Sequence, residues 1–263
     1  MTVNRGSRSD VVSSFTIIKG ALIEETYAAF SSWNLEVSQQ DNIEHIRDTN
    51  LIGASSENWL RDVSKVINRR FDADKRDRPL VQLAQRGCPL RHWKPLLLWH
   101  MTRDEFLVRD FLVNWLYDQY REGAFRVRSD DVIPYLKRLP DRDVEVDNSW
   151  SDSTLKRVAS GLLGIAADFG IVKGKQVREF ASYHLSDTAL MYLLHAMNDA
   201  LANAQRIVQA PDWKMYMMES DDVERELFRL HQYRELRYEV AGSLAQLSLP
   251  HDSLTQYVES ISL

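Results

Sequence analysis

The sequence predicts a mainly α-helical globular protein with helix-turn-helix or winged-helix-like units and one or two small β-hairpins. Three observations predict it. Apolar residues recur at helical spacing through most of the chain. Ser, Thr and Asp stand repeatedly just ahead of those segments, where helix caps belong. Only two short stretches have strand-like flanks on either side of a turn, as paired strands do.

Composition agrees with that reading. The chain has 263 residues, 44% hydrophobic and 27% charged, with 10 Gly and 7 Pro. These values exclude wholesale disorder and collagen-like repeats. A chain this long buries a substantial core without staples. The single cysteine, Cys88, cannot form an internal disulfide, which favours a reducing compartment.

The elements follow in order. Residues 1–13 read as a flexible polar tail. Phe15–Trp33 carries Ile18, Leu22 and Ala29 at helical spacing and is expected as one helix. Asp41–Asn50 is polar and turn-rich. Ser55 and Ser56 precede a periodic segment to Phe71, with Trp59, Val63, Val66 and Ile67 on one face. Asp72–Arg78 is a charge run closed by Pro79, and Pro79–Arg86 is expected as a short helix broken by Gly87 and Pro89. Arg103–Glu122 is apolar around most of its circumference, which marks a central core helix ended by Gly123.

Ser129–Leu139 is a shorter helix, closed by Pro140. An acidic loop, Asp141–Ser149, leads to a helix over Thr154–Phe169 capped by Ser151 or Ser153. Its inward set is Leu155, Val158, Ala159, Leu162, Ala166 and Phe169. Its outward set includes Arg157, Ser160, Gly161 and Gly164, with Lys156 at the margin. Gly170–Tyr183 turns at Gly174 and is expected as a hairpin. Helices over Asp187–Asn203 and from Ser220–Asp222 to Gln232, a hairpin over 234–249 and a last short helix complete the chain. The regions are 1–13, 14–100 with a helix-turn-helix-like unit, 101–185 with the winged-helix-like unit, and 186–263, packed as one compact body. Candidate boundaries lie near 72–79 and 141–149.

Several chemistries lack their residues. The seven histidines are scattered and none forms a His-x-x-x-His pair, so neither metal nor cofactor is expected. Gly170–Gln176 is one residue short of a phosphate loop and lacks its Ser/Thr. Cys88 and His92 are four apart, but Pro89 intervenes, and a structural cysteine is the expectation. The pairs Asp130–Asp131 and Asp221–Asp222 stand at helix starts, where capping accounts for them. The Trp93, Trp99, Trp213 and Tyr216 stretches read as core. No nucleophile, base or cofactor supports an enzyme. The longest near-apolar run, Pro95–Met101, is far short of the ~20 residues a membrane span needs. No secretory signal pattern stands at Met1–Asp10, so a soluble, cytoplasmic protein without membrane insertion is expected.

What carries information is the order of helices 103–122, 129–139 and 151–169 followed by hairpin 170–183. In a winged helix-turn-helix the third helix enters the major groove and the wing touches phosphates. Ser151, Ser153 and Thr154 offer hydroxyls and free N–H groups at the start of the third helix, with Lys156 and Arg157 behind them. Ser160, Gly161 and Gly164 keep its outer face smooth. Lys173, Lys175 and Arg178 lie on the wing and can neutralise phosphates. The same face could instead dock a protein, or serve as scaffold. A second basic row, Asn58, Arg61, Lys65, Arg69 and Arg70, lies on the 55–71 helix; it suits base reading or is a solvated charged face. A third row, Arg225, Arg229, Arg234 and Arg237, is offset by Glu224, Glu226, Glu235 and Glu239 and reads as intrahelical pairing.

The stretch Trp150-Ser-Asp-Ser-Thr-Leu-Lys-Arg-Val-Ala, then Phe169-Gly-Ile-Val and Leu185-Ser-Asp, resembles the BrxA family of BREX phage-defence systems. Trp33, Asn50-Leu-Ile, Ser55-Ser-Glu-Asn-Trp-Leu-Arg-Asp-Val and Asn68-Arg69-Arg70 extend the resemblance over roughly 15–250. It implies a mostly helical fold with helix-turn-helix units. It also implies non-catalytic binding of double-stranded DNA within a multi-gene system that includes a methyltransferase, with other BREX proteins as partners. The two basic helices, 55–70 and 151–169, are the positions it would carry over. The net charge of −5 departs from a dedicated DNA binder and suits weak, non-specific or partner-completed binding. The alternative is an adaptor that assembles other defence components without touching DNA.

Overall fold

The computed structural model describes residues 12–139, 150–242 and 244–261. The first eleven residues of the expected tail, the acidic loop 141–149 with Pro140, and the turn residue Ser243 lie outside them. The architecture is mainly helical, with two small antiparallel sheets. One continuous apolar cluster runs from Val12 to Val258 and draws on all regions of the chain from residue 12 onward.

The N-terminal region holds α1 (Ser14–Ile18), α2 (Ile23–Ser31), α3 (Gln39–Thr49) and α4 (Glu57–Arg70). The single helix expected over Phe15–Trp33 is therefore two. Its break starts at Gly20, whose φ of 83° ends α1, and tertiary contacts then hold it open. Leu22 takes a left-handed backbone with φ of 54°. The Arg70 guanidinium donates to the carbonyls of Thr16 and Ala21 at 2.9 and 3.1 Å, while the Ala21 N–H donates to the Asp168 carboxylate at 3.4 Å. These groups satisfy the backbone that a continuous helix would have paired. The polar stretch 41–50 is also helical, not a turn. A capping box between Ser38 and Asp41 starts it, and Ile43 and Ile46 are its buried anchors.

α5 (Arg78–Gln85) matches the expected short helix, but α6 (Leu90–Met101) is a further helix that the sequence reading left unassigned. Pro95 sits inside α6, yet Trp93, Leu96, Leu97, Leu98 and Trp99 are all buried. Burial of large side chains, each worth about 1.5–3 kcal/mol, outweighs the proline penalty here. The central helix begins at 106 rather than 103. It runs as α7 (Phe106–Asp110), a π-helical segment (Phe111–Leu116) and α8 (Tyr117–Arg121), and Gly123 follows with φ of 81°. Trp93, Trp99, Trp213 and Tyr216 are core residues, as expected.

Next come β1 (Arg126–Arg128), α9 (Ser129–Lys137), α10 (Asp152–Asp168), β2 (Val172–Lys173) and β3 (Val177–Phe180). The strands form one antiparallel sheet in the order β1-β3-β2, so β1, which the sequence reading missed, lies beside β3. The chain continues through α11 (Asp187–Leu201), α12 (Ala204–Val208), a 3₁₀ segment (Pro211–Tyr216) and α13 (Ser220–Gln232). It closes with the hairpin β4 (Arg237–Ala241) and β5 (Leu244–Ser248), and α14 (Leu254–Ser260). The paired carboxylates cap helices: Asp131 accepts from the Arg128 N–H at 2.7 Å and Asp222 from the Glu219 N–H at 2.9 Å.

Candidate nucleic-acid interface

The unit β1–α9–α10–β2–β3 carries the first set of predicted site residues. α10 starts at Ser151, whose Oγ accepts from the Thr154 N–H at 3.3 Å. The same hydroxyl lies 2.9 Å from Ser153 Oγ and 3.0 Å from Thr154 Oγ1, so the hydroxyls at this terminus form one cluster. Leu155, Val158, Ala159, Leu162, Ala166 and Phe169 are buried, and every one of the expected inward positions is therefore in the core. That anchoring leaves Ser153, Lys156, Arg157 and Ser160 exposed along the first half of the helix, while Thr154 is half-buried. Neither Lys156 nor Arg157 forms an ion pair or hydrogen bond with another described residue.

Gly161 corrects the expected outer face. A Cβ there would stand 2.7 Å from the Ile17 carbonyl oxygen, so this glycine lets α1 cross α10 closely. The smooth stripe is used inside the molecule at that point, and only Gly164 has open space beside it. The hairpin needs its glycine too. Gly174 has φ of +105°, and a Cβ there would fall 2.3 Å from the Val177 carbonyl oxygen. Lys173 and Lys175 are exposed on this hairpin. Arg178 differs from them: it is half-buried and its guanidinium folds back onto the Gly174 carbonyl, bracing the turn.

The second predicted row, on α4, is dispersed by the fold. Ser56 caps the helix by accepting from the Trp59 N–H at 3.2 Å. Asn58 accepts from Arg61 at 3.0 Å, so each holds the other. Arg61 lines a hollow of about 520 Å³ together with Glu44, Arg47, Asp48 and Glu57. Lys65 and Arg69 are exposed. Arg70 is not a surface residue: it is 1% exposed and paired with Glu105 at 2.9 Å. A DNA contact by Arg70 is thereby overturned, because its charge is spent on Glu105 and on two backbone carbonyls. The C-terminal row is largely self-paired, as expected, with Arg225 on Asp222, Arg229 on Glu226 and Arg237 on Glu239. Arg229 also reaches Asp187 on α11.

One constellation went unread in the sequence. His100 Nδ1 lies 2.7 Å from Asp77 and Nε2 lies 2.7 Å from the Tyr192 hydroxyl. All three are closed off from solvent. Burial lowers the His100 pKa and raises that of Tyr192, whereas hydrogen bonds from His100 and Arg76 hold Asp77 at about 2 despite burial. This is a satisfied interior network joining α5, α6 and α11. The three residues are too far apart in sequence for any spacing rule to join them. Cys88 is buried, with its thiol pushed up to about 11 by desolvation, as a structural cysteine would be. Among the described residues no group of three His, Cys, Asp or Glu could hold a metal, and no helix is long and apolar enough to cross a membrane.

No curated protein matches the chain. A family model does: BrxA matches residues 14–196, which span α1 to most of α11 and include both basic helices and the hairpin. That is well over half of the chain, and the protein belongs to the BrxA family, a component of BREX phage defence.

Proposed function

We propose that this protein binds double-stranded DNA without catalysis, using β1–α9–α10–β2–β3 as a winged helix-turn-helix. The observation that carries the reading is the exposed first half of α10, where Lys156 and Arg157 have no anionic partner among the described residues. The other arginine rows are mostly tied to carboxylates. A cation without a partner can release counterions from a duplex; a paired one has little to gain. The sheet order β1-β3-β2 supports the same reading, since it sets the hairpin directly after the third helix, where a wing belongs.

Contacts are mainly to phosphate. Lys156, Arg157, Lys173 and Lys175 are point or fork cations, while Ser153 and Thr154 add hydroxyls at the helix start. Arg61 and Lys65 on α4 add a weaker electrostatic share. The setting is the bacterial cytoplasm, among other BREX proteins.

The test is fluorescence anisotropy of a labelled duplex of about 30 base pairs at several salt concentrations, read as a log–log slope of roughly 0.9 per phosphate neutralised. A slope of several is expected. Absence of binding at low salt overturns the reading and favours the adaptor, whose partner would be captured through the exposed face of α10.

A further inference from the structure

A second basic feature lies away from α10 and the hairpin. It is a pocket of about 310 Å³ between the start of α5, the turn after α6, the end of α11 and the start of α14. That volume is at the lower end of what small-ligand sites occupy. Four cationic side chains line it, Lys75, Arg76, Arg78 and Arg103, against one carboxylate, Asp199. Asp199 accepts from the Leu254 N–H at 3.1 Å at the start of α14.

The four cations are not equivalent. Arg76 is matched from behind: it pairs with Asp77 at 2.9 Å and with Asp104 at 2.5 Å. Arg78 reaches only the Leu35 carbonyl, at 3.5 Å. The Arg103 side chain forms no hydrogen bond or ion pair with any described residue; it is half-buried, with its Nε closed off from solvent. Burial and the neighbouring Arg76 charge push its pKa below the ordinary value, against the pull of Asp77 and Asp104. A half-buried guanidinium without a partner is incompletely solvated, which an anion at its open end would relieve. The Gln82 amide oxygen is a second orphan in the same wall, buried and without a donor.

Both orphaned atoms are closed off from the pocket, so what a ligand meets is the outer end of the Arg103 guanidinium, with Lys75 and Arg78 beside it. We infer that the pocket binds a phosphate group, held in a fork by the two terminal nitrogens of Arg103 with Lys75 and Arg78 as flanking charges. A free hydrogen phosphate or a phosphate monoester such as a nucleoside monophosphate supplies this chemistry. The site is independent of the DNA reading.

The experiment is isothermal titration calorimetry on the full chain at matched ionic strength, with inorganic phosphate, AMP and, as a control, acetate. Phosphate or AMP is expected to bind and acetate to bind at least tenfold more weakly. The tighter of the first two identifies the source. Arg103→Met is expected to weaken that binding at least tenfold while raising or preserving the melting temperature, since it removes an unpaired charge. Lys75→Ala, at an exposed side chain, is expected to weaken it several-fold and guards against misfolding of the first variant. Lys156→Ala/Arg157→Ala should bind phosphate like the wild type. The inference is overturned if neither phosphate nor AMP binds, or if both pocket variants bind as tightly as the wild type. It is also overturned if Arg103→Met weakens duplex binding as much as the α10 variant does.

Discussion

α4 and α10 carry rows of basic residues that look alike as text, and the fold treats them differently. On α10 the inward face is purely apolar, so Lys156 and Arg157 are left outside; Asp152, one turn ahead, pairs with Lys137, and neither cation forms an ion pair with a described residue. On α4 the row turns with the helix. Arg61 bonds to Asn58 and shares a hollow with Glu44, Arg47, Asp48 and Glu57, and Arg70 at the far end of the helix points into the core against Glu105. Availability is therefore decided by what stands across from a cation, and only secondarily by the helix that carries it. A basic stripe becomes a nucleic-acid surface when the rest of the molecule declines to neutralise it.

The comparison is broken most severely at Arg70. Arg70→Met leaves Glu105 buried without its partner, with Thr16 Oγ1 at 3.0 Å as its remaining donor. Losing one member of such a pair costs about 3–5 kcal/mol, read as a fall in the midpoint of urea or thermal unfolding. Folded Arg70→Met should bind a duplex like the wild type, since the residue has no surface to offer; a selective loss of DNA binding at unchanged stability would refute its structural assignment. Gly161→Ala comes next. The new methyl meets the Ile17 carbonyl at 2.7 Å, and overpacking against backbone costs about 1–3 kcal/mol, more than helix propensity returns. Gly164→Ala, three residues on and in open space, should gain up to about 1 kcal/mol from propensity. If both alanines stabilise, α1 does not cross α10 as described.

These two glycines also mark how far the text was legible. Local signals were read well: the Ser151 cap, the inward set of α10, the hairpin at Gly174 and the capping carboxylates all stand where sequence placed them. What escaped was set by distant residues. The break after α1 has a local mark in Gly20, but the groups that satisfy its backbone, Arg70 and Asp168, lie about 50 and 150 positions away. α6 escaped because Gly87 and Pro89 read as breakers and a helix was not sought beyond them, while packing of Trp93 and Trp99 holds one there with Pro95 inside it. β1 is three residues long and has no periodicity to show until β3 pairs with it. At the candidate interface, residue type was legible and availability was not. Gly161 and Arg70 both matched a surface pattern, and both are consumed by partners far along the chain.

The comparison is sharpened by removing charge from each helix in turn. Lys156→Ala/Arg157→Ala deletes two unpaired cations from α10. Duplex affinity should fall about tenfold or more, and the salt slope should drop by roughly 1.8, two contacts at 0.9 each. Stability should change by no more than about 0.5 kcal/mol, because neither side chain holds another described residue. Arg61→Ala/Lys65→Ala removes the same formal charge from α4 and should do much less. Arg61 is already bonded to Asn58 and shares its hollow with three carboxylates and Arg47, so part of its charge is offset before any duplex arrives. Lys65 is the only part of that pair with free reach, and screening limits what it contributes from a distance to a change of about threefold or less. Anisotropy titrations of both double variants, run in parallel at two salt concentrations, separate the cases. Equal losses would make α4 a second DNA-contacting helix and dissolve the distinction between paired and unpaired rows; a loss confined to α10 would show that the carboxylates around Arg61 set the limit of the DNA surface.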